Sequence, residues 1–128
     1  MKARIVNLTP HAIVYVPAHG GDVARGITFP PSGMVARVPS QEPIRSEDLE
    51  VDGVLIPVYF SDIPLAPEGL PDEDGGKTLY IVSSLVGLAA AGSGRADLLV
   101  PGTGPGDGAI RDGNGHIVAV TRFKHVAC

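Results

Sequence analysis

The chain has 128 residues, and its 44% hydrophobic and 19% charged content, with a mean hydropathy of +0.20, excludes global disorder. Gly 17 and Pro 12 exclude a helical bundle, and Cys128 as the only cysteine excludes an intrachain disulfide or a cysteine-based metal cluster. The net charge of -4 excludes general affinity for a phosphate backbone.

One domain over residues 1–128 is expected, with a core of Val, Ile, Leu and Ala because Trp is absent and Tyr and Phe number three each. Arg4–Leu8 and Ala12–Val16 read as two strands meeting at the Thr9-Pro10-His11 turn. Gly20-Gly21-Asp22 gives the next turn, Ile27–Phe29 a short strand, and Pro30–Gly33 a turn into a strand at Met34–Val38, the pattern of an antiparallel meander. Pro39–Asp52 reads as acidic and irregular. Val54–Phe60 follows as a strand whose Pro57 belongs on a sheet edge or at a bulge, and Ser61–Lys77 as a long surface loop. Thr78–Val82 is a buried-type strand. Ser83 or Ser84 then caps a helix over 84–91 whose apolar positions are Leu85, Leu88 and Ala89, with Gly92 as its stop. Asp97–Val100 completes a strand, helix, strand crossover. Beyond the Gly102–Gly108 loop, Ala109–Arg111 and His116–Phe123 form a hairpin around Asp112-Gly113-Asn114-Gly115. The expected class is therefore α+β and strand-rich: a mixed, mostly antiparallel sheet of about six or seven short strands with one short helix.

Charge is unevenly placed. From Gln41 to Gly76 ten acidic residues face Arg45 alone, a formal -9; the remainder has nine basic and four acidic residues, +5. Residues 41–76 thus read as an acidic loop region, and the basic remainder as the place for an anion site. Ser83 and Ser84 stand where a strand gives way to a helix, and free amides there suit phosphate or carboxylate, although serine also serves as a plain cap. Arg95 and Arg111 border the glycine-rich loop, and a guanidinium fork grips an anion at two points. A ligand site built from Ser83, Ser84, Arg95, Asp97, Arg111 and Asp112, with Asn7 and His11 on its rim, is the reading these residues allow. No phosphate-binding or dinucleotide fingerprint accompanies it. His11, His19, His116 and His125 lack metal-ligand spacing, and no nucleophile elbow surrounds a serine, so no metal and no cofactor is expected and no residue is assigned a catalytic role.

Asn7-Leu8-Thr9-Pro10-His11, Pro30-Pro31-Ser32-Gly33, Tyr80-Ile81-Val82-Ser83, Arg95-x-Asp97 with Pro101, and Arg111-Asp112-x-x-Gly115-x-Ile117 together resemble a group of small uncharacterised proteins of bacteriophages and of bacterial, often actinobacterial, genomes. The resemblance implies no established activity. The first expectation is a phage-related, non-enzymatic binding module for a small anionic, nucleotide-like ligand. The second is a protein-interaction factor working through a sheet edge or the acidic 41–76 region, and the third a small hydrolase using His11 and a carboxylate. Self-association is expected of a small domain with open edges. Without an apolar leader or membrane-length run, the cytoplasm is the expected compartment, with neither membrane nor nucleic acid as partner.

Overall fold

The computed structural model describes residues 2–18, 26–40, 42–61 and 65–127. Ten strands and one helix follow in the order β1 (Arg4–Asn7), β2 (Ile13–Tyr15), β3 (Ile27–Phe29), β4 (Leu49–Val51), β5 (Val54–Ile56), β6 (Thr78–Ile81), α1 (Ser84–Ala90), β7 (Leu98–Pro101), β8 (Ile110–Arg111), β9 (Ile117–Ala119) and β10 (Phe123–His125). The α+β, strand-rich class holds. The strands divide into one four-stranded mixed sheet, ordered β1-β6-β7-β10, and three antiparallel ribbons, β2-β3, β4-β5 and β8-β9.

Parallel strands need a crossover, and α1 supplies it between β6 and β7. Ser83 caps the helix, its Oγ accepting from the Val86 amide at 3.3 Å; Gly92, at φ 80°, follows the last turn. The buried stripe of α1 is Val86, Gly87 and Ala90, whereas Leu85 and Leu88 face outward, contrary to the expected apolar stripe. Gly87 lets the helix sit close to the sheet: a Cβ there would lie 2.6 Å from Val100 Cγ1.

Register sorts the core. Val6, Tyr80, Leu98 and Val100 share the sheet face that packs, with Leu8, Val82 and Val126, against α1 and Ala36. Leu8, Ile81 and Leu98 are fully buried, and each contributes about 1.5–3 kcal/mol of transfer free energy. On the opposite face, Phe29 of β3 meets Phe123 of β10 edge-on at 5.8 Å.

Several expected pairings are corrected. Strands β1 and β2 do not form a hairpin; β1 runs parallel to β6, and β2 pairs with β3, because the 9–11 turn carries the chain off the sheet rather than back along it. Met34–Val38 forms no strand; it is held by the Ala36 amide, which donates to the Leu8 carbonyl at 3.0 Å, and by the Arg37 to Glu68 bridge. The stretch read as irregular before Asp52 contains β4. His116–Phe123 is split by a bend, so that β9 stays with β8 while β10 joins the main sheet beside β7. The expected Gly20–Asp22 turn lies outside the described residues.

Candidate functional site

The polar residues that the sequence singles out fall into separate places. Asn7, at the carboxyl end of β1, is a structural clasp. Its Nδ2 donates to the carbonyls of His11 at 2.8 Å and Phe29 at 2.9 Å, and its Oδ1 accepts from the Thr9 amide and hydroxyl at 2.9 and 2.7 Å. Ser32 Oγ closes on the Asn7 carbonyl at 2.7 Å. The Asn7–His11 and Pro30–Gly33 motifs are thereby tied to one another, which accounts for the pairing of a turn that carries Asn with one that carries Ser. His11 contributes its carbonyl to this clasp while its side chain is exposed. Ser83 also stands at a carboxyl end, that of β6, with Ser84 exposed beside it.

Arg95 and Asp97 lie at the other end. They precede β7, which runs parallel to β6, so the length of β6, on the order of 13 Å, separates them from Ser83. Asp97 is 2% exposed, and both of its oxygens are taken by Arg95, with Glu73 adding a weaker contact at 3.7 Å. The hydrogen bond to Asp97 raises the pKa of Arg95 further above its ordinary value, burial opposing it and the charges of Asp97 and Glu73 assisting.

Arg111 and Asp112 shape the β8-β9 hairpin. Arg111 Nη1 donates to the Gly115 carbonyl at 2.8 Å, and Asp112 Oδ1 accepts the amides of Asn114 and His116 at 2.9 and 3.0 Å. Among the described residues, no hydrogen bond or ion pair joins the Asn7 clasp, the Arg95–Asp97 pair and this hairpin to one another. Among the described residues no hydrogen bond or ion pair gathers the serines and the two arginines into one hollow. Among the described residues no buried side-chain polar atom lacks a partner, and no three His, Cys, Asp or Glu side chains gather as a metal site.

The outstanding surface is elsewhere, in the region read as a loop. Strands β4 and β5 turn through Asp52 and Gly53, whose φ values of 50° and 77° meet the requirement of a type I′ turn for two positive dihedrals. Below them the ribbon continues through the Ser46 to Val58 and Phe60 to Ile44 hydrogen bonds, at 2.8 and 2.9 Å. Pairing runs Leu49 to Ile56 and then Arg45 to Tyr59, so four steps on one strand oppose three on the other. Pro57, which has no amide to donate, sits at that bulge, as expected of it. Arg45 forms a bidentate pair with Asp48 on the surface and lies 6.0 Å from the Tyr59 ring centre, which steadies the base of the ribbon.

This ribbon packs on no core. Ile44, Leu49, Val51, Val54, Leu55, Ile56, Tyr59 and Phe60 are each at least 42% exposed. Alternation places Leu49, Val51, Val54 and Ile56 together on one face, with Glu50 and Leu55 on the other. The eight side chains expose on the order of 100 Å² each and roughly 800 Å² together, the area that one partner gives to a standard protein–protein interface. The sequence reading places β5 within its Val54–Phe60 strand but misses β4 and the hairpin, although their signal is present: Asp52-Gly53 flanked by Leu49-Glu50-Val51 and Val54-Leu55-Ile56.

Among the described residues no helix is long and apolar enough to cross a membrane. No protein-family model, curated protein or solved structure matches the chain.

Proposed function

We propose that this chain is a non-enzymatic protein-interaction module, and that its docking element is the apolar ribbon of residues 43–61. The observation that carries the reading is the two-sided exposure of aliphatic residues on β4 and β5, elements stapled by their own turn and bulge yet contributing nothing to the core. Monomeric proteins seldom present a continuous apolar patch of more than a few hundred Å², and larger ones mark contact surfaces. A two-stranded ribbon is also marginal by itself in water, so a partner that covers it contributes to its order as well. The proposed kinship with small bacteriophage proteins belongs to this reading and assigns no residue a role.

The small-anion alternative draws less support. Arg95 is committed to Asp97, Arg111 to a hairpin carbonyl, and Ser83 to the helix cap.

A photo-crosslinking amino acid at Leu55, installed in the producing cell, is expected to give a discrete protein adduct. The same probe at exposed Ser93, in the turn after α1, is expected to give none. The absence of any Leu55 adduct overturns the reading.

A further inference from the structure

Resting on that interaction reading, we infer that the partner of the ribbon is a second copy of this chain, joined head to tail, with the acidic ribbon of one copy seated in an apolar groove on the basic part of the next. The charge division supports it: the segment that contains the ribbon has a formal charge of -9 and the remainder +5. A ribbon-on-ribbon dimer sets Glu47, Glu50 and Asp52 against their own copies, whereas a head-to-tail contact sets them against cations. Like charges across an interface disfavour the first arrangement.

The receiving surface is present in the same chain. An apolar groove of about 130 Å³ runs between Ala12–Val14, ahead of and within β2, and Ile117–Val120 along β9, with Pro101 at its end. That volume approaches the roughly 150 Å³ cavity that encloses a benzene molecule, so it accepts an aliphatic side chain such as Leu55. An exposed cation stands beside it: Arg122 follows the groove strand, its Cγ lying where a Cβ on Gly102 would come within 2.7 Å, whereas Arg111, opposite Ile117, is held by the Gly115 carbonyl. The nearby carboxylates are already engaged, Asp107 by Lys124 and Asp112 by the hairpin amides. On the ribbon, Leu55 and Glu50 are cross-strand partners, an apolar knob beside a carboxylate, and the groove offers the converse: an apolar floor beside a guanidinium. Because the two surfaces differ, the contact is heterologous and propagates to a ring or a filament.

Light scattering over a concentration series tests the inference on three proteins: the full chain, Leu55→Asp on the ribbon, and Ile117→Asp in the groove. Far-UV circular dichroism checks each fold, and Arg122→Glu, an exposed position, serves as a second groove variant. The full chain is expected to rise in mass about twofold or more with concentration, and to do so less at high salt. Each variant alone is expected to stay monomeric. Mixed, the two are expected to form a one-to-one dimer that grows no further, since each retains one intact surface. A groove variant that still self-associates like the full chain overturns the head-to-tail arrangement, and a full chain that remains monomeric throughout overturns self-association. In either event a Leu55 adduct with a different protein leaves the broader interaction reading standing, whereas no adduct removes both.

Discussion

Lys124 Nζ, on the edge strand β10, lies 3.0 Å from Asp107 Oδ2 in the glycine-rich loop. The same carboxylate accepts the Gly104 amide at 2.8 Å, and Thr121 Oγ1 donates to the Asp107 carbonyl at 3.1 Å, so one aspartate pins the loop to the sheet. The bonds from Lys124 first and from the Gly104 amide next hold the Asp107 carboxyl below its ordinary pKa of 3.8. Asp74 is lowered in the same way by the Thr78 hydroxyl, at 2.7 Å, and amide, at 2.9 Å. The sign follows from the lowering: near and below pH 4 the unfolded chain takes up protons that the folded one refuses. Stability from both carboxylates is therefore complete above the unfolded value and is lost as pH falls through the folded values. Urea midpoints at about pH 7 and about pH 3 are expected to differ less in Asp107→Asn than in the parent chain. An identical acid-induced drop in the two proteins removes this role from Asp107.

Arg95 grips Asp97 through Nε to Oδ1 at 2.9 Å and Nη2 to Oδ2 at 2.7 Å. Removing one partner of a buried pair strands the other. Arg95→Ala is thus expected to cost about 3–5 kcal/mol in urea unfolding, because it leaves the buried Asp97 charge alone. Arg111→Ala, which loses one exposed hydrogen bond, is expected to stay within about 0.5 kcal/mol. Equal, small effects at both arginines contradict the structural role assigned to Arg95.

Asn7 uses two donors and its side-chain oxygen at once, which separates two conservative changes. Asn7→Ala is expected to cost about 1–3 kcal/mol by stranding buried partners. Asn7→Asp is expected to cost more, since a carboxylate oxygen then faces the carbonyls of His11 and Phe29, where an amide had donated. Thermal unfolding ranks the two, and the reverse order counts against the clasp.

What could be read from the sequence divides by the range of the interaction. Local signals gave α1 with its serine cap, the β6-α1-β7 crossover, the Asp112–Gly115 hairpin turn and the bulge at Pro57, because caps, turns and missing amides act within a few residues. Partner choice was not local. That β1 pairs with β6, more than seventy positions later, depends on burying Val6 and Leu8 against α1, which no window around β1 contains. The candidate polar residues have local partners for a related reason: Arg95 and Asp97, two residues apart, satisfy each other. The ribbon was legible in principle, from Asp52-Gly53 between alternating aliphatics, but that alternation ordinarily predicts one buried face. Here both faces are open, and composition alone does not distinguish a solvated hairpin from one that awaits a partner.

That openness separates the stability of the ribbon from that of the fold. Gly53→Val forces a β-branched residue to a φ of 77° and breaks the turn, yet β4 and β5 bury nothing in the core. The expected change in global unfolding free energy is within about 0.5 kcal/mol, against about 2–5 kcal/mol for Leu98→Ala at a fully buried position. Hydrogen exchange distinguishes the two elements in the parent chain: amides of 49–56 are expected to exchange through local opening and those of β6 only through global unfolding. Protection of 49–56 that rises with protein concentration ties the order of the ribbon to association. Protection that equals that of β6 in dilute solution places the ribbon inside the cooperative fold and removes the premise that it waits to be covered.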